Sequence, residues 1–361
     1  MSSPLVPPFH LAALTLALLL PACERGDTSR DAPPRSKEPV VALAGATASD
    51  DPAIDDVEVV VRSATPTSHI GALVVGEWLY YATLASDSVW RVNKNGGEPV
   101  LVGPHDSGPD AEVLQYDENR HAVNWLFYEH TYKTNSLFSS DVDSLERKEY
   151  TLPAGGALIV SRETADYSYS ATYGCQELVR LDKNTGEYQI AHSERYTGAA
   201  ALLALDDQYL YCGDVRTIVR FPLDFASLEA ELIYTHPGQD NDRLGGLIAY
   251  EGDLYFLFTR QLYRLNLSTF DAESVYTWER PPRPLFPQQD RFSGCIYFTD
   301  VAPSAYIFYS CMEAPRPQMH QLVHREDITG LPTFDEQYVY WPEMSQMVRV
   351  PKPQPNVDAG G

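Results

Sequence analysis

Short segments in which apolar residues run together or alternate with polar ones recur from Val57 to about Lys352, with turn residues between them. Such segments predict β-strands, and no long stretch shows the spacing of an amphipathic helix. An aromatic residue recurs every 42 to 47 residues in the second strand of each unit, at Tyr80, Phe127, Tyr169, Tyr211, Tyr255, Tyr297 and Tyr340. A period near 40 to 45 residues with four strands per unit is typical of a β-propeller. The pattern predicts an all-β chain that forms a single β-propeller of about seven four-stranded blades, with six blades as the alternative.

The first and third strands of the units also carry recurring residue types at matching positions. Third strands repeat an apolar pair followed by arginine, as in Val89-Trp90-Arg91 and Met347-Val348-Arg349, and first strands begin with small residues, as in Gly245-Gly246-Leu247. Small residues are expected where the first strands of a propeller crowd its axis. Blade 2 (Glu112-Val113-Leu114) and blade 6 (Pro284 to Pro287) depart from this rule.

The two ends of the repeat region complement each other. The last unit, Gly330 to Val350, supplies only three strands, whereas Asp56 to Arg62 is a strand without a blade of its own. Pairing the two removes an exposed sheet edge. We therefore expect the N-terminal strand to close the ring.

The best-matching repeat stretches are Leu79-Tyr80-Tyr81 with Val89-Trp90-Arg91-Val92, and Val339-Tyr340-Trp341 with Met347 to Lys352. They resemble the tandem-repeat β-propellers of the YWTD, NHL and TolB-like kind that occur in many bacterial surface proteins. That group contains binders, scaffolds and a few enzymes. The resemblance therefore implies a fold and does not choose a function.

The N-terminal segment has the features of an export signal. Leu11 to Leu20 is an apolar run too short to span a bilayer, and Leu20-Pro21-Ala22-Cys23 closes it. The segment resembles a bacterial lipoprotein signal, which implies that Cys23 carries the lipid anchor. The alternatives are an ordinary secretory signal in which Cys23 is incidental, or a displaced start codon, and each of these also exports the chain.

This interpretation divides the chain into four parts. Residues 1–22 are the predicted signal peptide, residues 23–56 the lipid anchor and a disordered tether, residues 57–352 the propeller, and residues 353–361 a disordered tail. By resemblance to the sorting rule of enteric lipoproteins, Glu24 after the anchor cysteine favours the outer membrane. We expect a cell-envelope protein that contacts the membrane through its lipid anchor only.

Composition restricts the class of partner. The chain carries 50 acidic and 27 basic residues, a formal net charge of -23, and is 44% hydrophobic and 11% aromatic. This apolar content is enough for a folded body. Nucleic acid is not expected as a partner because an acidic surface repels phosphates, and the charge favours a soluble monomer.

Four further cysteines, an even number in a chain predicted to be exported, favour disulfides. Cys295 and Cys311 flank a hairpin centred near Pro303, which places them opposite each other across two strands. Cys175 and Cys212 fall on the same rim of adjacent blades. We therefore predict the pairs Cys295–Cys311 and Cys175–Cys212, with buried free thiols as the alternative.

No catalytic, metal or cofactor site is expected. His320 and His324 lie about 13 Å apart along a strand, too far to share one metal ion. The segment Asp240 to Gly245 lacks the third acidic position and the glutamate of a calcium loop, so a solvated loop is the better interpretation. The nucleophile-elbow, zinc-protease, P-loop and dinucleotide motifs are absent from the sequence.

The rim where one blade leads into the next surrounds the channel mouth and is the usual binding surface of a propeller. The candidates for binding at this mouth are His69, Asp110, Glu112, Asp240, Asp242 and Arg243. Glu112 is predicted to lie closest to the axis.

The leading hypothesis is a non-enzymatic module that binds an envelope protein, a peptide or a glycan, or acts as a scaffold. A factor that assembles envelope proteins has the same sequence features. The alternative is a propeller enzyme of the lactonase or lyase type. Metal-dependent members of that group place acidic and amide ligands from several blades at the mouth, and only Glu112 matches that pattern here.

Overall fold

The computed structural model describes residues 57–62, 69–83, 88–104, 114–129, 134–153, 156, 158–172, 175–192, 202–213, 215–227, 229–237, 244–258, 261–278, 285–300, 305–311, 318–325, 328–343 and 346–353. These residues form 28 β-strands and no α-helix. An N-terminal strand, β1 (Glu58–Arg62), precedes the first complete blade.

The remaining strands follow the chain blade by blade. Blade 1 contains β2 (His69–Val75), β3 (Trp78–Thr83), β4 (Ser88–Asn93) and β5 (Val100–Pro104), and blade 2 contains β6 (Gln115–Asp117), β7 (Ala122–Glu129), β8 (Thr134–Asp141) and β9 (Arg147–Leu152). Blade 3 contains β10 (Leu158–Glu163), β11 (Tyr167–Thr172), β12 (Glu177–Asp182) and β13 (Tyr188–His192), and blade 4 contains β14 (Leu202–Leu205), β15 (Tyr209–Gly213), β16 (Thr217–Pro222) and β17 (Glu231–Thr235). Blade 5 contains β18 (Leu244–Tyr250), β19 (Asp253–Phe258), β20 (Gln261–Asn266) and β21 (Ala272–Thr277), and blade 6 contains β22 (Leu285–Asp290), β23 (Cys295–Asp300), β24 (Ala305–Cys311) and β25 (His320–Arg325). Blade 7 contains β26 (Thr333–Phe334), β27 (Tyr338–Glu343) and β28 (Gln346–Pro351), together with β1.

Each blade is a four-stranded antiparallel sheet, and the seven blades form a β-propeller. The first strands β2, β6, β10, β14, β18, β22 and β26 each contact the first strand of the next blade, and β26 contacts β2, so they surround a common axis. The prediction of seven blades is confirmed, and the six-bladed alternative is wrong.

Blade 7 is completed by the N-terminal strand, as predicted. Strand order in this blade is β1-β28-β27-β26, so β1 is the outer strand and pairs antiparallel with β28. Val61 buries its side chain against the core, and the Arg349 guanidinium donates two hydrogen bonds of 2.9 Å to the Glu58 carboxylate. These bonds hold the pKa of Glu58 below its usual range, although burial opposes them. The ring is therefore closed by strands from both ends of the repeat region.

All seven predicted aromatic anchors lie in second strands. In blade 2, however, the residue equivalent to the other anchors is Asn124 and not Phe127. Asn124 pairs with Ser139 of the third strand, just as Tyr80 pairs with Arg91 in blade 1. Blade 2 therefore has no aromatic residue at the anchor position, and Phe127 lies three residues beyond it.

The core lies between the blades. Seven clusters of buried apolar residues each join two neighbouring blades, so that every interface in the ring has one. Near the axis the blades approach closely: a Cβ atom on Gly246 of β18 would lie 1.9 Å from Cδ of Pro287 in β22. This contact confirms why first strands need small residues, and it explains how blade 6 tolerates a proline there.

Candidate functional site

The predicted mouth residues fall mainly outside the described part of the chain. Asp110, Glu112, Asp240, Asp242 and Arg243 lie outside it, as does the predicted anchor Cys23. His69 begins β2, where its backbone pairs with Thr83. Placement at the mouth therefore stays a prediction for these residues.

Both predicted disulfides are present. Cys175 and Cys212 join blades 3 and 4 with a Cα–Cα distance of 6.4 Å, and both side chains are buried. Cys295 and Cys311 face each other across β23 and β24 of blade 6, with a Cα–Cα distance of 3.9 Å. The alternative of free thiols is wrong for these four residues.

His320 and His324 lie along the outer strand β25 of blade 6, as predicted. Each ring stacks on a tyrosine of the neighbouring strand, His320 on Tyr309 and His324 on Tyr306, with ring centroids 5.1 and 4.1 Å apart. Within the described ranges, no group of three or more histidine, cysteine, aspartate or glutamate side chains is placed to hold a metal ion.

We call the side of the ring that carries the first-to-second-strand and third-to-fourth-strand turns the turn face, and the opposite side the loop face. At the turn face an ion pair crosses the axis. Arg291, in the turn after β22 of blade 6, pairs with Glu118, in the turn after β6 of blade 2, and its guanidinium lies 5.6 Å from the ring centre of Tyr116. Blades 2 and 6 are not neighbours, so these side chains bridge the channel at that end.

The turn face also carries a repeated aspartate. Asp117 and Asp290 end a first strand, and Asp206 and Asp335 directly follow one. Oδ1 of each accepts a hydrogen bond from the backbone N–H two residues later. This local bond stabilises the tight turn into the second strand. Four of the seven blades therefore present a carboxylate at the same place on the turn face.

Three of these aspartates bind a lysine of the following blade. Lys183 Nζ lies 2.5 Å from Oδ2 of Asp117, and Lys352 Nζ lies 2.6 Å from Oδ2 of Asp290. Lys94 Nζ lies 3.1 Å from Oδ2 of Asp335. The three lysines occupy one structural position, because the backbone N–H of each donates to a carbonyl in the preceding turn of its own blade, on Asp166, Gln337 and Glu77 respectively. Each of these pairs therefore links two neighbouring blades at the turn face.

Among the described residues, no lysine meets the fourth aspartate, Asp206 of blade 4. The equivalent position in blade 5 is Leu267, whose backbone N–H donates to Gly252 O at 3.1 Å. Asp206 keeps the turn hydrogen bonds and accepts a further one from the Tyr211 hydroxyl at 2.5 Å. Burial, reinforced by this carboxylate, raises the pKa of Tyr211.

An open cleft lies where that lysine would be. It has a volume of about 280 Å³ and is lined by Leu205, Asp206, Asp207, Ala249, Tyr250, Glu251, Gly252, Leu267 and Gln289. Three of these residues are acidic, and none of the lining residues is basic. We call this space the blade 4–5 cleft.

A second acidic group meets the lysine between blades 2 and 3. Lys183 Nζ donates to Thr164 O at 2.5 Å and lies 3.3 Å from Oε2 of Glu163, in addition to its contact with Asp117. All three charged side chains are almost completely buried. Burial raises the pKa of the Glu163 carboxyl to about 7, although the Lys183 charge opposes the rise. This interface therefore holds two carboxyl groups and one ammonium away from water.

The arginines of the third-strand pattern also act between blades. Arg91 and Arg349 stack on Trp78 and Tyr338 of their own blades, with the guanidinium 4.1 and 4.3 Å from the ring centre. The Arg349 guanidinium donates to Lys94 O of the next blade at 2.8 Å. The recurring arginine is therefore explained by structure, with no ligand needed.

Sequence reasoning missed the lysine position, although a signal for it is present. Three third strands are directly followed by lysine, and the sequence there reads arginine, two residues, lysine, in Arg91 to Lys94, Arg180 to Lys183 and Arg349 to Lys352. Blades 4 and 5 read arginine, two residues, leucine instead, at Leu223 and Leu267. Leucine at this position together with an aspartate in the preceding blade, as in Leu267 and Asp206, marks the cleft in the sequence.

Solved structures of other proteins share the fold at low sequence identity. The WD40 β-propeller domain of Doa1 aligns with a TM-score of 0.60 and 10% identity, over 83% of this chain and 97% of that one. A chain of the mitotic checkpoint complex aligns with a TM-score of 0.58 and 12% identity, over 91% of this chain and 99% of the other. Similarity at this level identifies the fold alone.

No family model matches the chain, and no curated protein matches it. Within the part of the chain that the structure describes, no helix has the length and apolar character needed to cross a membrane.

Proposed function

We propose that this protein is an exported lipoprotein of the bacterial cell envelope, anchored through Cys23, whose propeller binds an envelope protein, a peptide or a glycan without catalysing a reaction. The observation that carries the proposal is the closed seven-bladed ring with two disulfides, one between blades and one within a blade. Structural disulfides persist in oxidising compartments outside the cytoplasm. They support the interpretation of residues 1–22 as an export signal.

We place the binding surface at the loop face. Arg291 and Glu118 bridge the channel at the turn face, which favours approach of a ligand to the axis from the opposite side. The predicted mouth residues lie in the sequence between the outer strand of one blade and the inner strand of the next, between β5 and β6 and between β17 and β18. The described strand ends that flank these segments are at the loop face.

The outer membrane is the proposed location, because Glu24 follows the anchor cysteine. The protein is proposed to act as a monomer, since the ring is closed by its own N-terminal strand and leaves blade 7 with no missing strand for a second copy to supply.

Affinity capture from intact cell envelopes tests the proposal. A triple variant, Asp240→Asn, Asp242→Asn and Arg243→Gln, removes the loop-face charges between β17 and β18. Glu273→Gln on the outer strand β21 is the matched control, because it changes the net charge by the same amount at an exposed position. A partner that is captured by the parent and the control but lost from the triple variant is expected. Equal capture by all three proteins would overturn the placement of the site.

A further inference from the structure

We propose that the blade 4–5 cleft is a binding site for the lysine side chain of a partner protein, in which the partner's ammonium takes the place that Lys94, Lys183 and Lys352 occupy at the other junctions. The site lies on the turn face, away from the loop-face surface of the proposed function. Both sites are therefore accessible at the same time.

The propeller itself shows what the equivalent position binds. At three junctions a lysine ammonium lies between 2.5 and 3.1 Å from Oδ2 of the aspartate that ends the preceding blade's first strand. These three lysines come from neighbouring blades, and each is a primary ammonium on a four-carbon chain. They are three independent examples, in this chain, of the chemistry that this carboxylate position binds.

Asp206 has the same local geometry without the lysine. Its Oδ1 accepts the N–H groups of Gln208 and Tyr209 at 2.8 and 2.7 Å, as Oδ1 of Asp335 accepts those of Gln337 and Tyr338 at 2.8 and 2.7 Å. The hydroxyl of Tyr211 donates to Oδ2, as the hydroxyl of Tyr340 does at Asp335. The carboxylate is therefore oriented as at the junction with Lys94, and the hydrogen bonds that it accepts from described residues come from neutral groups.

The lining of the cleft suits a lysine better than a bare cation. Leu205, Ala249 and Leu267 provide an apolar wall of the kind that covers the methylene groups of a lysine. Asp207 and Glu251 add two exposed carboxylates at the opening. Because the ammonium has three donors, it can contact more than one of these carboxylates at once. The charge and shape of the cleft thus match a lysine side chain, which occupies the equivalent position at three other blade junctions.

The first experiment measures binding of the full-length protein to a blocked tripeptide, acetyl-Gly-Lys-Gly-amide, by NMR titration at low salt. The same peptide with an acetylated lysine removes the charge, and spermidine represents a free polyamine as the source of the ammonium. Binding of the lysine peptide, with loss of at least about tenfold on acetylation, is expected for a charge-assisted contact. Equal binding of the acetylated peptide would overturn the proposal, and binding of spermidine without the peptide would reject a protein as the source.

The second experiment fills the cleft from within. Leu267→Lys restores the missing lysine and is expected to abolish peptide binding and raise Tm, because the new ammonium reaches Asp206 as Lys94 reaches Asp335. Leu223→Lys is the matched control, since the preceding turn there contains Thr164 in place of an aspartate. The control is expected to bind the peptide as the parent does.

A further variant tests the cleft without a change in the core, so that the test does not depend on the folding of Leu267→Lys. Asp207→Asn with Glu251→Gln alters two exposed side chains and is expected to weaken peptide binding by about tenfold if both are lost as contacts. Unchanged peptide binding in this variant and in a folded Leu267→Lys protein would show that the cleft is not the site.

Discussion

The buried carboxyl of Glu163 makes the stability of the propeller depend on pH in a direction opposite to that of most carboxyl groups. Burial beside Asp117 raises its pKa from 4.5 to about 7 in the folded protein. Between these values the folded state binds a proton that the unfolded state has lost. The free energy of unfolding therefore falls as pH rises through this window and levels off above pH 7.

The substitution Glu163→Gln isolates this effect, because the amide has the shape of the protonated acid and no charge to bury. At 1.36 kcal/mol per pKa unit, the shift corresponds to about 3 kcal/mol. The variant is expected to unfold like the parent below pH 4.5 and to be more stable than the parent by about 3 kcal/mol above pH 7.

Urea unfolding of both proteins between pH 4 and 8.5 measures the difference curve. Glu98→Gln, at an exposed position, is the matched control and is expected to follow the parent at every pH. A Glu163→Gln protein that is less stable than the parent at pH 8 would show that the ionised carboxylate stabilises Lys183, and the reasoning from burial would be wrong.

Three further predictions concern the anchor, the closure and the disulfides. Cys23→Ala is expected to abolish fatty-acid labelling and move the protein to the soluble fraction, and continued labelling would reject the anchor. A chain that begins at Ser63 is expected to melt at least about 2–4 °C below one that begins at Asp55, because burial of Val61 alone contributes about 1.5 kcal/mol. Equal melting temperatures would mean that β1 does not stabilise the propeller. Replacing Cys175–Cys212, which closes a loop of 37 residues, is expected to lower the free energy of unfolding in urea by about 4 kcal/mol. Replacing Cys295–Cys311, which closes a loop of 16 residues, is expected to lower it by about 3 kcal/mol, and the reverse order would contradict the loop-entropy argument.

Features that depend on local periodicity were predictable from the sequence. The aromatic anchors, the three-stranded last unit and the unpaired strand before Ser63 together gave the blade number and the closure. Cys295 and Cys311 were predictable because a hairpin brings equidistant residues together. Phe127 was misplaced because blade 2 has Asn124 where the other blades have an aromatic residue, so the pattern selected an aromatic residue three positions further along the strand.

Ion pairs between residues that lie far apart in sequence were not predictable. Asp117 and Lys183 are 66 residues apart in sequence, Lys94 and Asp335 are 241 apart, and Glu118 and Arg291 are 173 apart across the axis. The repeat in the sequence does not show which side chains form ion pairs, because that depends on how the blades are placed around the axis. Leucine at position 267 became informative only when the structure showed a lysine paired with an aspartate at three other blade junctions.

Site-specific photo-crosslinking in intact cells tests most directly whether the loop face binds an envelope partner. A photoreactive amino acid is placed at Asp242, between β17 and β18, and in a separate protein at Leu232, which is half exposed on the outer strand β17. We expect a discrete crosslinked product at Asp242 that is absent at Leu232. The same products at both positions, or none at Asp242, would show that the loop face does not bind the partner.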